Sequence, residues 1–340
     1  MNDDEELEKD NDYLMETLKH YQTIQPLNEP QERKIIKTAK FQANISTILV
    51  TLSILLLLAP VMTLGSYLYY AAGRANQLLD IVSKTIYVTE PNVKLESHGI
   101  DERIGIFSMD ANFYTLKRIG KQDIRTGEHN VHFSMDQVSN VTHHNLLDTP
   151  VHDVFYNSET TGFIHPDEPS KILNQSREVE VLHGMTTGTV AELYISLNKT
   201  YSEEELKDAF PNIDIIWNAV DTGAPQKDDK GVFTAPIGYP VQPDKDPWSP
   251  FFIAPGDSKA NKDIFIEIVK QLSENEHLAT TVSRAKSLSL TKRLAYLEDN
   301  GIHVYGMVVT GPVDELKKLE TNPMVRAIKV EDSRIWNWHS

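Results

Sequence analysis

No charged residue occurs from Phe41 to Gly73, and Lys40 and Arg74 close the stretch on either side. Its densest part, Ile48–Tyr70, reads ILVTLSILLLLAPVMTLGSYLYY, a run of 23 residues. A helix of about 20 apolar residues crosses the hydrocarbon core of a bilayer, so this segment is long enough to span one. A helix of this length in a soluble core would carry a polar face, and this one carries none. The run divides the chain into a tail of residues 1–40, a membrane helix of residues 41–73 and a large region beyond it.

Arg33, Lys34, Lys37 and Lys40 precede the run, opposed locally only by Glu32, whereas Arg74 and Lys84 follow it with Asp80 between them. The basic excess places the N-terminal flank in the cytoplasm and the C-terminal region outside. Tyr67, Tyr69 and Tyr70 suit an interfacial aromatic belt. The expected membrane-flanking residues are therefore Lys37, Lys40, Tyr67, Tyr69, Tyr70 and Arg74. A cleaved signal peptide is the competing reading. Against it, the run starts well inside the chain, exceeds a typical apolar h-region and has no A-x-A site after it, Tyr70–Gly73 (YAAG) being the nearest approach. Pro60 and Gly65 within the run are ordinary in membrane helices.

About 265 residues lie beyond the run, enough for one or two domains with substantial cores. The chain contains no cysteine, which excludes disulfides, thiol catalysis and cysteine-based zinc sites. The net charge is −16, of which the first 40 residues supply −4. An acidic balance on both sides of the span argues against direct nucleic-acid binding.

The tail opens on an acidic block, Asp3–Asp12, and continues as a helical pattern. Leu7, Leu14, Leu18 and Tyr21 share a face, with Met15 and Ile24 beside it, before Pro26 and Pro30 break the pattern. Nothing else in the tail can bury that stripe, and an isolated helix this short is marginal in water. Two readings stand: a solvated, disordered tail, or a helix that folds into the groove of a partner. The candidate partner-binding residues are Leu7, Leu14, Leu18, Tyr21 and Ile24.

Beyond Arg74 the pattern is mixed. Thr85–Tyr87, Gly105–Ser108 and Asn112–Lys117 read as short strands, and residues 122–187 as loops. Leu193, Ile195 and Leu197 alternate with polar or smaller neighbours as a half-buried strand, and Ser202 with Glu205 forms a capping box opening a helix that ends near Phe210. Ile213–Ala219 alternates again. After a loop over Asp221–Ser258, helices are expected at Ile264–Leu272 and Leu290–Leu297, a strand at Ile302–Val309, a helix opening at Pro312 and a strand at Met324–Val330. The fold class is α+β: one transmembrane helix followed by an extracytoplasmic mixed α/β sandwich, with a ferredoxin-like arrangement as the candidate for its C-terminal part. The expected divisions beyond the span are a β-rich region, 74–185, and an α+β domain, 186–335.

Six of the twelve histidines, His129, His132, His143, His144, His152 and His165, fall in one stretch with Asp148, Asp153, Asp167 and Glu168 nearby. These ligand types suit zinc or copper, but no pair has HExxH spacing, so solvated loop histidines remain the alternative. There is no G-x-S-x-G, Walker A or Rossmann fingerprint. The chain is therefore expected to be no enzyme and to need no cofactor.

Read in order, KTAKFQANISTILVTLSILLLLAPVMTLGSYLYY, TIYVTEPNVKLESHG and NFYTLKRIGKQ resemble the sigma factor regulator N-terminal domain. VAELYISLNKTYSEEELKDAFPNIDIIWNAVDTG followed by PIGYP resembles the C-terminal domain of the same regulators. Together, over residues 35–125 and 185–335, the chain is similar to the YhdL-type membrane anti-sigma factors of Firmicutes. The resemblance implies a cytoplasmic tail that sequesters an extracytoplasmic-function sigma factor, controlled by an outer sensor or a membrane co-regulator. One departure is plain: the zinc-type anti-sigma pattern H-x3-C-x2-C is absent, since there is no cysteine. The alternative is a cell-envelope binding or scaffold protein without a transcriptional role.

Overall fold

A computed structural model describes residues 14–16, 18–19, 28–96, 100–146, 162–168, 175–211, 213–225 and 234–335. The chain forms two compact units, residues 1–62 and residues 63–340. Helix α1 (Glu29–Tyr69) opens with Glu29 and Pro30, the latter well suited to a first helical turn that lacks an N–H acceptor. In the first unit its apolar side chains stand fully open: Ile48, Leu52, Leu55 and Leu56 are all exposed, as they must be where lipid replaces a protein core.

At Tyr70–Arg74 the helix passes through a π-type turn in which Gly73 takes φ 103°, a backbone state that favours glycine. It resumes as α2 (Ala75–Thr89). Here the expected strand at Thr85–Tyr87 is corrected to helix. Leu78, Ile81, Val82, Thr85, Ile86 and Thr89 form one buried helical stripe. The hydroxyls of Thr85 and Thr89 donate to the carbonyls of Ile81 and Thr85 at 2.7 and 2.8 Å, absorbing the β-branched residues into the helix.

The first sheet comprises β1 (Val93–Leu95), β2 (Asp101–Gly105), β3 (Ser108–Ile119), β4 (Gln122–Ser134) and β5 (Gln137–Asn145). Its order is β1-β3-β4-β5, with β2 on the same edge of β3 as β1, and every pairing is antiparallel. Residues 122–187 are thus not simply loop. Strand β4 does alternate, but its inward positions are Gly127, His129, Val131 and Phe133, two of which carry no hydrophobic signal. Gly127 has to be small, because a Cβ there would lie 2.6 Å from His143 Cε1. Gly105–Ser108, expected as strand, is the tight β2–β3 turn, with Phe107 at φ 53°.

After α3 (Gln175–Gly184) come β6 (Thr189–Tyr201), α4 (Glu203–Ala209), β7 (Asp214–Val220), β8 (Gly238–Pro240), α5 (Asn261–Glu274), α6 (Glu276–Val282), α7 (Leu290–Asn300), β9 (Val304–Pro312), α8 (Val313–Leu316) with a 3₁₀ extension Lys317–Thr321, and β10 (Val325–Ile335). The second sheet runs β10-β6-β9-β7-β8, antiparallel throughout. Strands β6 and β7 are parallel with β9 between them, and β9 and β10 are parallel with β6 between them. This is the split β-α-β twice over, the ferredoxin-like arrangement with an added edge strand. The expected capping box is present: Ser202 Oγ accepts from Glu205 N at 3.3 Å, and Glu205 Oε2 accepts from Ser202 N at 2.8 Å.

Three apolar clusters hold the second unit together. One joins α2 to Met109, Phe113 and Phe133 of the first sheet and to Phe265 and Val269 of α5. The second lies under one face of the second sheet with Leu206, Val313 and Leu316. The third, on the opposite face, gathers Phe163, Tyr194, Trp217 and Val308. With both faces covered, β6 is buried over its first nine residues, which is why its alternation looks weaker than that of a half-exposed strand.

Candidate functional site

Within the tail, Leu14 and Leu18 sit one helical turn apart and are 59 and 55% exposed, with Met15 at 59% beside them. Three of the expected partner-binding residues, Leu7, Tyr21 and Ile24, lie outside the described residues. Lys37 and Lys40 are exposed on α1.

The C-terminal group of flanking residues lies at the start of the second unit. Tyr67 is exposed, while Tyr69 is half-buried and Tyr70 fully buried. The Tyr69 hydroxyl donates to the Asp136 carboxylate, and Arg74 Nε donates to the same Oδ1 at 2.6 Å. The Tyr70 hydroxyl donates to the Met135 carbonyl at 3.2 Å. One turn earlier, Ser66 Oγ accepts from the Phe107 backbone N–H at 2.7 Å. The apolar helix is therefore gripped by two hairpin turns, β2–β3 at Phe107 and β4–β5 at Met135–Asp136. The Tyr69 hydroxyl bond, followed by the Arg74 guanidinium, holds the Asp136 carboxyl below the usual aspartate range. Sequence reasoning singled out Tyr69, Tyr70 and Arg74 but missed Ser66, Phe107 and Asp136. Asp136 lies between Met135 and Gln137 in a turn, and that local polarity was its only signal.

The histidines separate. His129, 1% exposed, stacks on Phe113 at 5.6 Å, and its Nε2 shares a proton position with His143 Nδ1 at 2.5 Å. Burial, then the neighbouring imidazole, push His129 down to about 3, so the pair is neutral at ordinary pH. His132 pairs with Asp110 at 2.6 Å, and His165 lies elsewhere, 3.6 Å from Asp221. His152 lies outside the described residues. Among the described residues, no three histidine or acidic side chains are grouped to hold a metal.

Comparison with known proteins bears on this architecture in both halves. Residues 33–124 match the sigma factor regulator N-terminal model, and residues 182–332 match the sigma factor regulator C-terminal model. The first match takes in most of α1, the β2–β3 turn that bonds Ser66, and β3, while the Met135–Asp136 turn lies beyond it; the second takes in the ferredoxin-like sheet. A protein of Bacillus subtilis (strain 168) described as a probable anti-sigma-M factor, YhdL, is 29% identical over 343 aligned residues, covering 98% of this chain and 89% of that protein. No solved structure matches. The chain belongs to the sigma factor regulators and carries both the N-terminal and the C-terminal domain of that family, in order.

Proposed function

We propose that the chain is a single-pass anti-sigma factor whose tail, residues 1–40, holds an extracytoplasmic-function sigma factor at the inner face of the membrane. The observation that carries this reading is the exposed apolar pair Leu14 and Leu18 in a family of sigma factor regulators. An exposed apolar stripe on a short helix is what a helix-in-groove contact requires. Leu7, Tyr21 and Ile24 extend it in sequence. The relative described as a probable anti-sigma-M factor supports a sigma factor of that kind as the partner.

The orientation rests on Arg33, Lys34, Lys37 and Lys40, which favour a cytoplasmic N-terminus. Residues 41–73 then cross the membrane, and the regions 74–185 and 186–335 lie outside, open to an envelope signal or a membrane co-regulator. The role is regulatory rather than catalytic. The test is capture of the sigma factor by residues 1–40, with and without Leu14→Asp and Leu18→Asp, beside transcription of its regulon in a tail deletion. Capture that the two substitutions abolish, with raised transcription on deletion, supports the reading. No capture and unchanged transcription would end it.

A further inference from the structure

Two hairpin turns of two residues each meet at the C-terminal end of the uncharged run: Ile106 and Phe107 between β2 and β3, and Met135 and Asp136 between β4 and β5. A chain of hydrogen bonds joins them to the helix. Phe107 N donates to Ser66 Oγ at 2.7 Å, Met135 N donates to the Phe107 carbonyl at 3.0 Å, and the Tyr70 hydroxyl donates to the Met135 carbonyl at 3.2 Å. The backbone N–H and C=O of both Phe107 and Met135 are thereby satisfied within the protein. Their side chains stand open: Ile106 and Phe107 are each 46% exposed and Met135 is 39% exposed. On the helix that carries Ser66, Leu64, Tyr67 and Leu68 are exposed as well.

Phe107 stands at φ 53° and Met135 at φ 54°. Two-residue turns ordinarily fill positive-φ positions with Gly, Asn or Asp, which tolerate the left-handed region. A bulky apolar residue there is strained, and such strain is kept where a function needs it. Both turns thus forgo the easier turn residues and present apolar side chains at their tips. Water does not favour that arrangement; lipid does. A segment entering a bilayer has to satisfy its backbone internally and show apolar side chains outward, and the bonds at Phe107 and Met135 meet the first condition as their side chains meet the second. Continuity points the same way. Ser66 and Tyr70 belong to the uncharged run, and Ser66 precedes Arg74 by eight residues, about 12 Å of helix. Asp136 limits the depth: its carboxylate, bonded to Tyr69 and Arg74, is still 54% exposed and has to stay within reach of water or headgroups. Interfacial segments of this kind bury their apolar side about 5–10 Å into the boundary between headgroups and acyl chains.

We propose that the tips at Ile106, Phe107 and Met135 form a second membrane contact, embedded at the headgroup–acyl boundary of the leaflet facing the second unit. The first sheet then rests on lipid beside the helix it grips. The proposal rests on the membrane span of the preceding section, and its test scores the span and the tips separately.

The experiment uses the unsubstituted full chain, one copy per nanodisc, in phosphatidylcholine that carries an aryl diazirine either high on the acyl chain or at its terminus. Photolysis attaches lipid to the side chains it touches, and mass spectrometry of a digest places the adducts. Adducts within residues 48–62 report the span. The high probe is expected to label Ile106, Phe107 or Met135 severalfold above Lys121, which is exposed in the β3–β4 turn at the far end of the same hairpin. The terminal probe should label the span but not the tips. Phe107→Asn/Met135→Asn suits the turn backbone and should cut labelling at Ile106 severalfold, while unchanged labelling of 48–62 shows that the variant is inserted. Adducts confined to the span, equal labelling at Lys121, or undiminished labelling at Ile106 in the double variant would each overturn the proposal. So would tips that a second copy shields from lipid in discs holding two. An unlabelled 48–62 would remove the span itself, and the proposal with it.

Discussion

Replacing Lys117 by Met isolates a buried charge between the two sheets. Glu192, on β6, is 0% exposed; its carboxylate accepts from Asn92 Nδ2 at 2.8 Å and from Lys117 Nζ, on β3, at 3.3 Å. Losing the lysine leaves a buried carboxylate with one neutral donor, a loss worth about 3–5 kcal/mol where a buried pair is broken from one side. Burial already holds the Glu192 carboxyl above its usual range, with Lys117 the largest influence opposing it. A raised carboxyl favours the protonated folded state, so its contribution is full at low pH and is lost as pH rises through the folded value. Removing Lys117 raises that value further. The gap between the two chains should therefore be small in acid, open as pH rises through the Glu192 transition, and reach its full size near neutrality. Urea unfolding of the full chain in detergent reports this through tryptophan fluorescence, Trp217 being buried with its indole N–H on the Tyr87 carbonyl at 3.1 Å. The double variant Lys117→Met/Glu192→Gln should recover more than half of the loss, since no buried charge remains. A cost below about 1 kcal/mol at neutral pH, the range of a solvated pair, would refute the reasoning. So would a cost that grows on acidification.

Asp136→Asn removes the charge shared by Tyr69 and Arg74. Because the pair is largely solvated, at 33 and 54% side-chain exposure, its loss should cost about 1 kcal/mol or less. The depressed Asp136 carboxyl contributes above its unfolded value and loses that contribution as pH falls through the folded one, so the wild-type advantage in unfolding midpoint should vanish in acid. Ser202→Ala removes the side-chain acceptor of the α4 capping box and should lower stability by about 1 kcal/mol in the same denaturation assay. Ile106 and Phe107 are each 46% exposed at the turn bonded to Ser66, a residue of the uncharged run. In a chain without native cysteine, a spin label at Ile106→Cys or Phe107→Cys should favour oxygen over a water-soluble nickel relaxant in nanodiscs, with Gln122→Cys showing the reverse; equal water exposure at all three sites would contradict an interfacial position.

The C-terminal half was largely legible because its signals are local and redundant. Strand β7 alternates, Ser202 and Glu205 announce the start of α4, and Pro312 opens α8, so the order of elements already implied a split β-α-β sheet. The expected strand Asn112–Lys117 is part of β3, but β4 and β5 were hidden because the inward positions of β4 include Gly127 and His129, which fit the interior by size and by a shared proton rather than by hydrophobicity. Helix α2 was misread in part because Ile86-Tyr87-Val88 has strand-like composition, and only the longer stripe from Leu78 to Thr89 reveals the period. Of the candidate site, Tyr69, Tyr70 and Arg74 stood out beside an uncharged run, but their partners come from turns more than 60 residues away. Arg293 gave no signal at all: on an amphipathic helix an arginine reads as solvated, whereas here it is buried and bonded to the carbonyl of Ala235, 58 residues away.

The grip on Ser66 and Tyr70 has a mechanical consequence. These residues are four apart, one turn of helix, and each is tied to a different hairpin of the same sheet. No linker stands between sheet and helix to take up slack. A twist or tilt of the first sheet is therefore delivered directly to the helical turn Ser66–Tyr70, not dissipated in a flexible tether.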